Sequence, residues 1–214
     1  MAQRIDYENY IFILYLFNRL KVGGGRMRTA KLLYLLEDDL YRNNMIGPTY
    51  VMKRYPMGPY NPEIASDLKN LGDNTFLKVK PVYYDKIDDF ADVYSCNRNT
   101  TKFLKSIEEL LEENSEIFEK LDSLVDIYAK KKGEELKDLI YSLKSTGRNQ
   151  VSINDYQEQT VIINPKNLSN PKLRFYLDED WYDTVEVLLN PDLYYGLQQG
   201  IIDAQKGRFT NELS

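Results

Sequence analysis

A mainly helical α+β fold is what this sequence predicts: a compact helical domain with a short β-hairpin or wing, then a C-terminal tail of two short strands and two helices. Three observations carry that expectation. Apolar residues recur at helical spacing through most of residues 7–143. A helix-start signature, a capping asparagine followed by proline and an acid, occurs twice, at Asn61-Pro62-Glu63 and Asn190-Pro191-Asp192. Short runs rich in β-branched and aromatic residues interrupt the helical pattern near 76–96, 160–163 and 173–177. The chain has 214 residues, of which 43% are hydrophobic and 29% charged. That suits one domain with an appendage, or two small domains, and is too apolar for disorder throughout.

Taken in order, Tyr10, Ile11, Ile13, Leu14, Leu16, Phe17 and Leu20 are apolar nearly all round, which predicts a buried helix over 7–21. Gly23-Gly24-Gly25 ends it. Thr29 to Asn43 reads as a second helix, with Leu32, Leu33, Leu36 and Leu40 on one stripe and Glu37, Asp38 and Asp39 off it. Residues 45–60 are rich in Gly, Pro and Tyr. A third helix opens at Asn61, buries Ile64, Leu68 and Leu71, and is expected to stop at Gly72. Phe76 to Tyr83 and Asp92 to Cys96 read as a hairpin in which Pro81 favours an edge position. Three helices follow, marked by Phe103–Leu111, Ile117–Tyr128 and Leu136–Leu143, with a break at Asn114-Ser115. Residues 1–146 thus form the helical domain. Residues 147–177 read as a linker with short strands at 160–163 and 173–177, and 178–214 as an acidic helical tail with helices over 178–189 and 191–206.

Composition removes whole classes of chemistry. There is no histidine, so Ser-His-Asp and Cys-His machinery, histidine metal ligands and histidine pH switches are all absent. One cysteine, Cys96, rules out an internal disulfide framework and an all-cysteine zinc site. No cofactor and no metal are expected, and no carboxylate pair stands out as catalytic, so the chain is read as not an enzyme. The 28 basic and 33 acidic residues leave a net charge of −5. Residues 151–214 hold five basic and ten acidic residues, whereas the first 150 hold 23 of each. All the net negative charge therefore lies in the last third, suited to a basic partner or simply to solubility. Met1 to Asn9 does not resemble a secretory leader, and the apolar run Tyr10–Phe17 is far shorter than the ~20 residues of a bilayer span. A cytoplasmic protein without membrane contact is the expectation.

Several local motifs have plainer readings. Gly23–Gly25, followed by Arg26, Arg28 and Lys31, lacks the phosphate-loop pattern and is read as a link between helices. Glu37-Asp38-Asp39 and Glu112-Glu113 are read as solvated helix faces. The tail is more distinctive. Trp181, Val185 and Leu188 fall on one helical face with Tyr182 and Leu189 beside them, behind the acidic first turn Asp178-Glu179-Asp180. In the last helix Leu193, Leu197 and Ile201 recur every fourth residue, next to Gly196, Gly200 and Ala204. Each interior glycine costs about 1 kcal/mol relative to alanine, a cost a helix tolerates where a partner backbone approaches closely. The tail either docks on its own body or orders on a partner.

Lys31-Leu32-Leu33-Tyr34-Leu35, then Gly47-Pro48-Thr49-Tyr50, then Tyr55 and Gly58-Pro59-Tyr60, then Leu71-Gly72 resemble the Panacea domain, also called the SocA-like antitoxin domain. The likeness spans roughly residues 5–145. It departs from the family pattern at Tyr55-Pro56-Met57-Gly58-Pro59, where the family usually sets tyrosine beside glycine-proline. The segment holding Asp180-Trp181, Leu188-Leu189, Asn190-Pro191-Asp192-Leu193 and Gly207 resembles the toxin-neutralising C-terminal segment of antitoxins of the YefM and RelB type. These resemblances imply an antitoxin of a type II toxin–antitoxin pair that neutralises a cognate protein toxin by direct binding, with Trp181, Tyr182, Val185, Leu188, Leu189, Leu193, Leu197, Gly200 and Ile201 at the interface. The alternatives are a winged-helix DNA-binding regulator and, after other members of the family, a proteolytic adaptor. No helix carries the clustered Lys and Arg that phosphate contacts need, so nucleic acid is the less favoured partner.

Overall fold

The computed structural model describes residues 6–85, 88–148, 151–206 and 208. The architecture is mainly helical with three small sheets among the described residues. In chain order the elements are α1 (Tyr7–Leu20), β1 (Gly24–Gly25), α2 (Arg26–Arg42), β2 (Met45–Ile46), β3 (Met52–Tyr55), β4 (Gly58–Tyr60) and α3 (Glu63–Asp73). They continue with β5 (Leu77–Tyr84), β6 (Asp89–Cys96), α4 (Arg98–Ser106), α5 (Glu108–Glu113), α6 (Ser115–Tyr128) and α7 (Gly133–Ser142). The last are β7 (Val161–Ile163), β8 (Leu173–Arg174), α8 (Glu179–Leu189) and α9 (Pro191–Gln205). The chain divides into two compact units, Met1–Tyr176 and Leu177–Ser214. No helix among the described residues is long and apolar enough to cross a membrane.

In the first unit α1 and α2 are the central helices. Ile11, Phe12, Ile13 and Leu14 of α1 are fully buried, as its all-round apolar character requires. The stripe Leu32, Leu33, Leu36 and Leu40 of α2 is buried too, and Tyr34 and Leu35 join it, so α2 is covered on most sides. The Asn61 helix start forms as its chemistry dictates: Asn61 Oδ1 accepts the Glu63 backbone N–H at 2.8 Å. That helix runs through Gly72 to Asp73 rather than stopping there. The hairpin β5–β6 pairs in full register from Leu77↔Cys96 to Tyr84↔Asp89, and β5, which carries Pro81, is an edge strand. A second break, at Ile107, separates α4 from α5 and keeps that side chain buried.

Three expectations are corrected. Gly23–Gly25 is more than a link, because β1 pairs antiparallel with β6. A Cβ on Gly23 would stand 2.7 Å from Val93 Cγ1, so the backbone reaches β6 only because side chains are missing. The Gly/Pro-rich stretch 45–60 holds three strands, with β3 and β4 forming a hairpin. The stretch 147–177 is not a linker: up to Tyr176 it belongs to the first unit. Its strands do not pair with each other. Instead β7 adds to the free edge of β3, and β8 runs parallel to β2, extended by Phe175 N–H to Ile46 O at 2.8 Å. Phe175 is fully buried and meets Phe12 and Phe118 with ring centroids 5.1 and 5.6 Å away. Three aromatic rings from distant parts of the chain thereby close one core.

The second unit consists of α8 and α9. Asp178 Oδ1 caps α8 by accepting the Trp181 N–H at 2.8 Å. Asn190 Oδ1 caps α9, accepting from Asp192 and Leu193 at 3.1 and 3.2 Å, with Pro191 at the first helical position.

Candidate functional site

The residues expected to bind a partner fall into two groups in the second unit. Along α8, Val185 and Leu189 are buried, while Trp181, Tyr182 and Leu188 are half-buried. Along α9 no described residue is buried. Leu193, Leu197 and Ile201 lie 46%, 54% and 50% exposed, and Tyr194, Tyr195 and Ile202 are exposed as well. The positions where a Cβ would stand on Gly196 and Gly200 have nothing within 4 Å. Gly207, the last residue of the tail motif, lies outside the described residues. Charge on this unit is one-sided: residues 178–214 hold eight acidic and two basic side chains.

In the first unit the fold brings the sequence-motif residues together. Lys31 projects from α2 toward the β3–β4 hairpin, where its ammonium donates to the Pro59 carbonyl at 2.9 Å in a buried setting. Lys31 is only 2% exposed. Gly58 stands directly against it: with φ at +94°, its Cβ would sit 3.1 Å from Lys31 Nζ and 3.4 Å from Tyr141 Cε2. Glycine is required here both by the left-handed backbone and by the space Lys31 takes. Burial, then the positive charges of Lys137 and Arg54, push the Lys31 ammonium down to about 8. Leu32, Leu33 and Tyr34 are core, and the buried Tyr34 hydroxyl has no hydrogen-bond partner. Gly47 lies against Leu40 and Phe12, with Pro48 buried beside it. Tyr55 packs edge-on against Tyr60 with ring centroids 5.5 Å apart.

Sequence reasoning missed the groups that complete this neighbourhood. Arg54, from β3, lies 5.0 Å over the Tyr141 ring, and Lys137 Nζ lies 5.8 Å from the same ring. The Tyr141 hydroxyl donates to the Pro56 carbonyl at 3.0 Å and so holds the hairpin tip to α7. Lys137 and Tyr141 are one helical turn apart, a spacing too common to signal anything alone.

The acidic cluster of α2 is also corrected. Glu37 and Asp38 are buried, not solvated. Glu37 is enclosed near Tyr50, and burial holds its carboxyl well above the usual carboxylate range, the Tyr50 backbone N–H offsetting only part of that. Neither Glu37 oxygen reaches a full hydrogen bond. Asp38 pairs with Arg42 at 2.8 Å and accepts the Gly147 N–H, and Asp39 pairs with Lys120 at 3.2 Å. The fully buried Tyr50 donates its hydroxyl to Asp67 at 2.6 Å, and desolvation raises Asp67 to about 6. A groove of about 500 Å³ runs beside this cluster, lined by Asp38, Arg42, Lys120, Ile127 and Leu143 among others. The charges on its rim are largely satisfied by one another.

Compared with known proteins, the chain matches no family model, no curated protein and no solved structure.

Proposed function

We propose that this protein is an antitoxin that neutralises a cognate protein toxin by direct binding, a Panacea-like body carrying an acidic tail that covers the toxin. One observation carries the reading: α9 presents Leu193, Leu197 and Ile201 as a continuous apolar stripe with no described residue buried. Apolar faces of that kind on an otherwise well-packed chain mark interaction surfaces, and a helix laid into a groove is read through such i, i+4 anchors. Open space over Gly196 and Gly200 lets a partner backbone come close. The excess of acidic side chains on the same segment fits a basic toxin surface of the kind that holds RNA or phosphate, and would steer the encounter.

Leu197→Asp with Ile201→Asp places two charges on the apolar stripe without touching any buried residue of α9. The measurement is growth rescue on co-expression with the product of the neighbouring gene, next to thermal melting of the purified variant. Loss of rescue at unchanged melting temperature is the expected result, with a binding loss of roughly 2–4 kcal/mol. Full rescue by the double variant would retire the proposal. So would a fall in the melting temperature of the isolated protein, since the stripe would then be serving the fold. The regulator reading has the β5–β6 hairpin in its favour, but the connecting sequence Asp85-Lys86-Ile87-Asp88-Asp89 is net acidic, where phosphate contacts would need an excess of cations.

A further inference from the structure

Three cationic side chains of the first unit stand around one phenol ring. Lys31, Arg54 and Lys137 come from α2, β3 and α7 and converge on Tyr141. Among the described residues none of the three forms an ion pair, although Asp38, Asp39, Asp122 and Glu116 elsewhere in the same unit each have a cationic partner. Their hydrogen-bonding capacity is also underused. The Lys31 ammonium has three donors and one acceptor, the Pro59 carbonyl. Arg54 gives one guanidinium N–H to the Tyr55 carbonyl, while its Nε is buried with no partner. Lys137 has only the ring face.

Buried donors left unpaired and like charges held together both disfavour the folded chain. A single species would relieve both at once, namely an anion of charge two with several acceptor oxygens. Gly58 brings Lys31 and Tyr141 close together, its Cβ position lying 3.1 Å from the lysine Nζ and 3.4 Å from the tyrosine Cε2. Arg54, Lys137 and Tyr141 are each partly open to solvent, and Lys31 is buried behind them. Guanidinium and ammonium groups set around a tetrahedral dianion are the usual protein chemistry for a phosphoryl group.

We infer that Lys31, Arg54, Lys137 and the Tyr141 edge form a binding site for the phosphoryl dianion of a small phosphorylated ligand. All four residues of the site belong to the first unit. A ligand here would clamp α2, the β3–β4 hairpin and α7 together, since each supplies one cation.

The test uses the full chain, titrated calorimetrically at constant ionic strength with sodium phosphate, AMP and, as reference, sodium chloride. Saturable binding of phosphate or AMP, with a rise in melting temperature that chloride does not give, is the expected result. Equal affinity for the two identifies the phosphoryl group as the whole determinant, and tighter binding of AMP assigns the source to a nucleotide. Lys137→Gln and Arg54→Gln should each weaken the binding about tenfold or more. Lys137 lies on the partly exposed face of α7, so its variant should melt no lower than the parent without anion, having lost a repelling charge. No binding above chloride in the parent would overturn the inference. Binding that survives both substitutions unchanged would do the same.

Discussion

Two carboxyls, Glu37 and Asp67, sit where water is scarce, and both are held above their ordinary range by desolvation. The folded chain therefore keeps protons that the unfolded chain gives up above pH ~4. Stability from these groups is fully present below that pH. For Asp67 it is lost as pH rises through about 6, and the Glu37 contribution falls with rising pH in the same sense. The difference between the parent and Asp67→Asn, measured by urea titration across pH 4 to 7, should change by on the order of 2 kcal/mol, falling as pH rises. A flat difference would show that Asp67 titrates normally. Glu37→Gln, which keeps the shape and removes the ionisable proton, should gain in stability relative to the parent as pH rises above ~4. None of this was legible locally. The periodicity of α2 sets Glu37, Asp38 and Asp39 off the leucine stripe, as expected for a one-sided helix. The chain instead wraps α2 on most sides, so the acids are covered by segments distant in sequence.

At the scale of elements, Lys31 and Gly58 meet at the turn of the β3–β4 hairpin, which Tyr141 also ties to α7. Gly58→Ala meets a left-handed φ of +94° and a lysine nitrogen 3.1 Å from the new Cβ. It should cost roughly 1–3 kcal/mol in chemical denaturation. An Ala variant as stable as the parent would mean that the hairpin turn relaxes freely and does not depend on Lys31. The helices were readable because each repeats an apolar residue along one face, and α3 and α9 add an asparagine-proline start. The long hairpin β5–β6 was readable from its alternating residues. The strands β1, β2, β4 and β8 are two or three residues long, too short for any alternation to show. They exist through pairing with segments far along the chain, and glycine and proline at 23–25, 47–48 and 58–59 resemble turns when read alone. The cation cluster failed the same way. The resemblance singled out Lys31, Gly58 and Pro59, but Arg54, Lys137 and Tyr141 join them only through packing of α7 on the hairpin.

For the whole molecule, the sequence placed the end of the body near residue 146, where the helical pattern gives way to polar residues. The fold places it at Tyr176, because β7, β8 and Phe175 fill spaces that the helices leave. A chain ending at Tyr176 should melt as one cooperative helical transition. A chain ending at Arg148 should lose cooperativity or fall by several kcal/mol, since Ile153, Ile162, Ile163, Leu168 and Phe175 all leave the core. Indistinguishable melts for the two would mean that the C-terminal strands are dispensable. The polar stretch after Leu143 misled because Thr146 and Gly147 within it are buried, the latter donating its N–H to Asp38, and composition alone does not separate such a packed segment from a tether.

The position of Phe175 also bears on how the molecule is made. Ribosomes deliver the chain from its N-terminus, and early segments fold as they emerge. Phe12 arrives among the first residues and Phe118 near the middle, yet the ring that seals them comes more than fifty residues later. Until then the nascent chain carries an open aromatic cleft and an unpaired edge along β2 and β3, features that invite aggregation and proteases. A chain cut short before Phe175 would keep both of these features exposed.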